Sequence, residues 1–525
     1  MPKEVVKAEE LARKQREISV SEFFAKNRHL LGFDNPTRAL LMTVKEFVDN
    51  SIDACNEMRV PGDIKVELKQ LSENRFIVIV EDNGPGIVKD QIPKVFGKLL
   101  YGSKFFSMKQ SMGQQGLGAS VAVLYSQLTT GKPIKVISRI SPKKPAHYYE
   151  LQINTQKNEP EILKEKDVDW KVDHGTKVEI ELEGRYQKGK QSVDEYVKQI
   201  SIANPHISIT YKTPEGTLKY QRAVNELPVE PKEIKPHPYG IELGNLISML
   251  SHTKARTLQS FLTTEFSRIG SGTAKEMCSK SSLNPNDKPS KLTNEQIEKL
   301  FKAMQDTKII APPTDCLSPI KAEVLEKALK KEYEAEFIIT TTRSPVVYRG
   351  FPFQIEVGIV YNSKWPQDEQ TRLIRLANRV PLLYQQGACA ITEAVTDTNW
   401  KSYGLQQSGN NLPAGPAIIV VHMASVWVPF TSEAKEAVAH YEDIIKEIKL
   451  ALQECGRKLS IYIHKNIRAR EQKERASLFD AYIPELATAL NKLSGEPKTK
   501  IEQGLRKRLK KDLPLLMVGE ENVKK

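Results

Sequence analysis

Three polar residues at helical spacing and two glycine-bearing turns carry the residue types that can do chemistry in this chain. In EFVDNSIDA (46–54), Glu46, Asn50 and Asp53 fall at i, i+4 and i+7, so a helix puts them on one face. A carboxylate one turn from a carboxamide suits two jobs. The carboxylate takes a proton from an attacking water, and the amide oxygen ligates Mg²⁺ beside phosphates. In EDNGPGI (81–87), Asp82 closes a hydrophobic strand and enters a tight turn. A buried Asp there can accept the exocyclic amine of adenine, with Gly86 letting the base pack close. SMGQQGLGAS (111–120) is a glycine-rich loop opening a helix. Such a loop brings backbone N–H groups and a positive helix end to phosphate oxygens. It lacks the Lys-Ser/Thr ending of a Walker A loop and is not a Rossmann fingerprint. In HGTKVEIEL (174–182), Thr176 opens a strand and its hydroxyl can bond the adenine site. Taken singly, each pattern is also an ordinary polar helix face, turn or strand start.

The elements that must hold these residues follow from periodicity. A polar arm runs into a short helix with Ser19 or Ser21 as its N-cap, and a helix spans about 36–58. Strands are expected at 64–68, 76–80, 134–140, 148–153 and 176–182, with a helix at 119–128. Helices should cover one face of a mixed sheet, an α+β layout. The proline-rich segment PVEPKEIKPHPYG (228–240) reads as a linker. Residues 241–316 read as purely helical with polar breaks at 270–273 and 281–290. A second α+β pattern starts near Ala335, with strands at 353–360 and 417–422 and a long helix from about Thr431 to Lys465. The last stretch, from about 470, is helical and charged, with RKRLKK at 506–511.

The order of the four motifs resembles the Bergerat nucleotide-binding pattern of GHKL ATPases, which include gyrase-type enzymes, a large heat-shock chaperone, histidine kinases and MutL proteins. The resemblance covers about residues 20–185. It implies ATP and Mg²⁺ as ligands, Glu46 as general base and Asn50 as the Mg²⁺ ligand. Asp82 and Gly86 would recognise adenine, with Thr176 as a second contact. Gly113, Gln114, Gln115, Gly116, Leu117, Gly118 and Ala119 would form the phosphate lid, and Ser103 and Lys104 would join the nucleotide-binding set. Histidine kinases lack a counterpart of Glu46, so a hydrolase is favoured, with chaperone-like, MutL-like and topoisomerase readings still open.

The rest of the chain resembles the B subunits of type IIB topoisomerases, topoisomerase VI. The matching stretches include residues 96–127, KPHPYG (235–240), EFSRIGSGTAKEM (265–277), PFQIEVGIVY (352–361), RLANRVPLLY (375–384) and NWKSYGL (399–405). The implied architecture is an arm and Bergerat-type ATPase sandwich over 1–236 and a small helix-two-turn-helix domain over 237–316. A transducer follows over 317–470 and a basic helical extension over 471–525. In PFTSEAKEA (429–437), Lys435 matches the transducer lysine that reaches the γ-phosphate. The resemblance further implies ATP-dependent homodimerisation through the arm (about 1–25), a DNA-cleaving A subunit in an A2B2 heterotetramer, and double-stranded DNA as the object of strand passage. No tyrosine nucleophile partnered with a metal-binding carboxylate cluster is evident. The segment 470–500 either docks the partner or caps the transducer helix.

Composition bounds this reading without choosing it. The 525 residues suffice for three or four domains. A net charge of +13 favours polyanion partners, and equally describes a solvated Lys/Glu-rich surface. No apolar run reaches membrane-spanning length, the charged N-terminus does not read as a secretory signal, and five scattered cysteines suit a reducing cytoplasm.

Overall fold

The computed structural model describes residues 17–102, 108–113, 118–432 and 434–518. The expectations for Ser103, Lys104, Gln114, Gln115, Gly116, Leu117 and the first part of the arm therefore lie outside the described residues.

Two capped helices open the first region. The Ser19 hydroxyl accepts the Glu22 N–H at 3.1 Å and starts α1 (Val20–Lys26). Asn35 accepts the Arg38 N–H at 2.9 Å with proline next to it, and α2 (Pro36–Met58) follows until Arg59 turns left-handed. The strands are β1 (Asp63–Ser72), β2 (Arg75–Asp82), β3 (Ile134–Arg139), β4 (Ala146–Asn154), β5 (Glu159–Val168), β6 (Gly175–Glu183), β7 (Ser208–Thr213) and β8 (Gly216–Tyr220). They form one sheet in the order β5-β4-β3-β6-β2-β1-β7-β8, antiparallel throughout except where β7 runs parallel to β1. Along β1, Ile64, Val66 and Leu68 are buried while Asp63 and Lys65 are exposed, the alternation of a sheet covered on one face. That core also takes in α2, α3 (Ile92–Gly97), α4 (Gly118–Thr130) and α5 (Val193–Ala203). Strand β5 was not expected from sequence. Its residues are mostly charged and solvated, and even Ile162 and Leu163 remain about half exposed, at 47% and 49%.

A helical block follows: α6 (Leu243–His252), α7 (Leu258–Glu265), α8 (Ser271–Lys280) and α9 (Asn294–Asp306). It has its own core, with Leu246, Phe261, Phe266, Met277 and Leu300 packed together. Residues 271–273, expected as a break, instead begin α8, because Gly270 takes the N-cap position. The break lies just before it.

The second α+β region begins with α10 (Ala322–Glu332), ahead of the expected start near Ala335. Its strands are β9 (Phe337–Thr342), β10 (Val346–Tyr348), β11 (Phe351–Tyr361), β12 (Arg372–Ala377), β13 (Val380–Pro381) and β14 (Ala417–Ser425), with α11 (Ala390–Thr396) between β13 and β14. The order is β10-β11-β14-β12-β13, with β9 also paired to β11. All nine residues of β14 are buried, because both faces are covered. Ile419, Val421 and Met423 share a core with Ile444, Ile448 and Leu452. Ile418 and Val420 share another with Leu325 and Leu329, joined there by Ile202 and Ala203 of α5. This second cluster binds the two sheets into one body.

The long helix differs from expectation at both ends. α12 spans Glu442–Ser494, 53 residues, and α13 (Lys498–Val518) follows a left-handed cap at Gly495. Residues 431–432 and 434–441 are not helical: Thr431 N–H bonds the Ala437 carbonyl, Phe430 bridges Val438, and Lys435 has φ 51°. The expected boundary at 470/471 falls inside α12. Among the described residues no helix is long and apolar enough to cross a membrane.

Candidate nucleotide-binding site

A cavity of ≈ 360 Å³ opens between α2, the end of β2, the start of β6, the first turn of α4 and the 431–441 loop. Glu46, Asn50, Asp82, Gly86, Gly113, Gly118, Ala119, Thr176 and Lys435 all line it, together with apolar Phe33, Phe47, Ile87 and Val178. Every expected site residue within the described part of the chain is thus gathered in one place. The mix of apolar walls and a few convergent polar groups is typical of a small-molecule site.

At one end sits Asp82, where β2 stops. Its Oδ2 accepts the Ser51 hydroxyl at 2.8 Å, and its Oδ1 accepts the Gly84 N–H at 2.9 Å and the Thr176 N–H at 3.2 Å. Burial pushes its pKa above the usual aspartate value against these donors. The Thr176 hydroxyl lies 3.3 Å from Ser138 Oγ. Gly86 has φ 71°, and a Cβ there would meet the Arg139 carbonyl oxygen at 2.1 Å. Its requirement for glycine is therefore set by the neighbouring strand end rather than by an approaching base.

At the other end Glu46 faces the start of α4. A Cβ on Gly118 would stand 1.6 Å from Glu46 Oε2, so the helix can begin against the carboxylate only with glycine there. Behind Glu46, Lys45 is 5% exposed, with its Nζ 3.7 Å from Glu46 Oε1 and 3.1 Å from Asp49 Oδ2. Burial works against this ammonium, but Asp49 and Glu46 outweigh it and hold its pKa above the usual lysine value. Tyr196 donates to Asp49 at 2.7 Å from α5. Asn50 is exposed beside the cavity.

Lys435 enters from the second α+β region. It is 6% exposed, and its Nζ donates to the Met112 carbonyl at 2.9 Å. Burial lowers its pKa, with Lys45 acting the same way and Glu46 opposing. An anion at this point would add to Glu46 in favouring the charged ammonium against burial.

The segment 108–113, which leads into the glycine loop, is tied on both sides. Asp53, on the face expected for it, turns away from the cavity and accepts the N–H groups of Met112 at 3.3 Å and Gly113 at 3.0 Å. Gln110 is 6% exposed and forms a two-way clasp: its Nε2 donates to Ser318 O at 3.0 Å and its Oε1 accepts the Ser318 N–H at 2.7 Å.

Residues 35–185 match the family described as histidine kinase-, DNA gyrase B- and HSP90-like ATPases, and residues 312–475 match the topoisomerase VI B subunit transducer. The B subunit of type 2 DNA topoisomerase 6 from Methanococcoides burtonii is 51% identical over 485 residues, covering 92% of this chain and 78% of that protein. Its counterpart from Archaeoglobus fulgidus is 48% identical over 90% of this chain and 79% of its own length. The chain belongs to the family of type 2 DNA topoisomerase 6 B subunits. Membership sets aside the chaperone-like and MutL-like alternatives.

Within this topoisomerase family, the residues missed by sequence reading are those defined only by tertiary contact. Ser51 is an unremarked serine until Asp82 arrives beside it. Tyr196 meets Asp49 across 147 residues, and Gln110 meets Ser318 across 208. Lys45 carried one available signal, an i,i+4 pairing with Asp49 within α2.

Proposed function

We propose that this cavity binds and hydrolyses ATP to drive a dimeric clamp for DNA strand passage, as the ATPase subunit of a type IIB topoisomerase. The observation that carries the reading is Lys435, a transducer-side ammonium reaching the cavity that also holds Glu46 and Asn50. Asp82 accepts the adenine amine, with Thr176 beside it. The N–H groups at the start of α4 face the phosphates, where the helix end adds positive potential. Glu46 takes the proton of the attacking water, and Lys435 balances charge on the γ-phosphate as a point contact.

The donor set fits Mg²⁺ held chiefly by the nucleotide. Asn50 offers one exposed amide, and no group of three or more His, Cys, Asp or Glu among the described residues could hold a metal. When bound, the ion would neutralise phosphate charge.

The division into an arm and ATPase domain (1–236), a helix-two-turn-helix domain (237–316), a transducer (317–470) and a helical extension (471–525) is supported by the separate helical core and the two sheets. The last boundary falls within α12. The chain would work in the cytoplasm with a DNA-cleaving A subunit in an A2B2 assembly, ATP closing the B dimer through its arm. Double-stranded DNA would meet its basic surface with strong salt dependence.

The test is plasmid relaxation with a denaturing quench, run with and without an A subunit, ATP and Mg²⁺. Relaxation is expected only with all present. Covalent DNA adducts formed by this chain alone would overturn the division of labour.

A further inference from the structure

We infer that Arg38 is a positioning residue for Lys435, acting through Glu436; this rests on the reading of Lys435 as the γ-phosphate lysine. Arg38 lies in the first turn of α2, two turns ahead of Glu46 on the same helix. Its guanidinium makes three contacts. Nη1 bonds Asp34 at 2.7 Å, the group lies over the Tyr384 ring at 4.8 Å, and Nη2 bonds the Glu436 carboxylate. Tyr384 and Glu436 belong to the second α+β region, so Arg38 bridges the two sheets. Glu436 is 3% exposed and is the chain neighbour of Lys435.

The loop around Lys435 explains what this contact can do. Its base is closed by the Phe430–Val438 bridge and by the Ala439 N–H to Pro429 carbonyl bond at 2.7 Å. Its tip carries Lys435 at φ 51°, a conformation that costs a non-glycine residue about 1 kcal/mol or more and persists only where neighbours enforce it. Among the described residues, two side-chain contacts tie that tip to the first region: Lys435 to the Met112 carbonyl and Glu436 to Arg38. Lys435 Nζ carries three N–H donors, of which the Met112 carbonyl takes one and the others can meet a phosphate. The Glu436–Arg38 pair then holds the backbone from which the lysine reaches. Among the described residues, Arg38 Nε and Glu436 Oε2 are buried without hydrogen-bond partners. These are the two atoms that a forked guanidinium–carboxylate contact would add to the existing one, so a tighter geometry is within reach when the loop shifts.

The prediction separates positioning from mere attachment, because Lys435 meets only the third phosphate. In the full chain, Arg38→Ala should lower turnover and the affinity for a non-hydrolysable ATP analogue by about tenfold or more while ADP affinity stays unchanged. Glu436→Gln, which keeps shape and removes charge, should do the same to a smaller degree. Arg38→Ala added to Lys435→Ala should cost nothing further, since both act through one contact. Parallel loss of analogue and ADP affinity, or additive losses in the double variant, would overturn the inference. If Arg38→Ala does not fold, Glu436→Gln decides by the same criteria. A Lys435→Ala protein that keeps wild-type turnover and analogue affinity refutes the γ-phosphate reading and this inference together. An impaired Lys435→Ala beside normal Arg38→Ala and Glu436→Gln refutes this inference alone.

Discussion

Both α+β regions gather charged and polar side chains, but they use them in opposite ways. In the first region Glu46, Asn50 and Asp82 line a cavity, and Lys435 is aimed into it from outside. In the second, Glu356 is fully buried and satisfied by the protein itself. It accepts the N–H groups of Ile320 and Lys321, the Thr342 hydroxyl and the His422 ring, all at 2.7 Å. The Arg379 N–H donates to His422 Nε2 at 2.9 Å, so that nitrogen carries no proton and the ring is the neutral Nδ1–H form. The Arg379 guanidinium continues the network to the Pro319 and Ala203 carbonyls. Polar groups that close on one another fix the joint between residues 319–321, α5 and the second sheet. Polar groups that line a cavity can instead serve a small molecule.

That contrast can be broken most sharply at Glu46. Glu46→Ala should retain nucleotide binding while turnover falls by roughly two to four orders of magnitude, the range of a lost general base. Near-normal turnover would remove Glu46 from the mechanism.

Glu356→Ala should behave oppositely, with a loss of about 3–5 kcal/mol of stability from an opened buried network and no specific effect on chemistry. Denaturant midpoints of the intact chain would show it. The pH dependence has a definite sign. Burial holds His422 below the usual histidine pKa, and Glu356 lies below the usual glutamate value because its donors outweigh burial. Both groups contribute stability above their unfolded pKa values and lose it as pH falls, His422 first, from about pH 6.5 downward. His422→Gln should flatten that part of the profile, and an unchanged slope would assign it elsewhere.

Asp82→Asn sharpens the ligand side. Replacing a charged acceptor with an amide should weaken ATP and ADP alike by about 10- to 100-fold, read by calorimetry, with turnover at saturation less affected. Tight binding would overturn the adenine assignment. The smallest effect is expected at the tether between the regions. Gln110→Ala removes two neutral hydrogen bonds, worth about 1 kcal/mol each, and should reduce the coupling of nucleotide binding to dimer closure, measured by light scattering, more than it changes ATP affinity.

The legible parts of the site were local. Glu46 and Asn50 announce themselves one helical turn apart, and Asp82 and Gly118 each sit at the junction of a periodic element with a turn. The helix 36–58 was readable because Asn35, Pro36 and the apolar period agree. Lys435 came through resemblance alone, since one lysine in a basic chain has no local mark. Strand β5 was hidden because a solvated edge strand needs no apolar alternation, and α12 began late because the Phe430–Val438 bridge and the Thr431 N–H to Ala437 bond close a loop ahead of it. Arg38–Glu436 and Gln110–Ser318 join residues hundreds of positions apart, and nothing short of the folded chain pairs them.

The unbroken course of α12 has a mechanical consequence. Its first turns are clamped by Ile444, Ile448, Leu452 and Leu459 in the second core, whereas Leu478, Phe479 and Tyr482 further along are more than half exposed. At 53 residues and 1.5 Å per residue it extends roughly 80 Å. A rod anchored at one end magnifies angle into distance: beyond Ile463, the last of its residues in that core, roughly 46 Å remain, and a tilt of about 10° there carries the far end through roughly 8 Å.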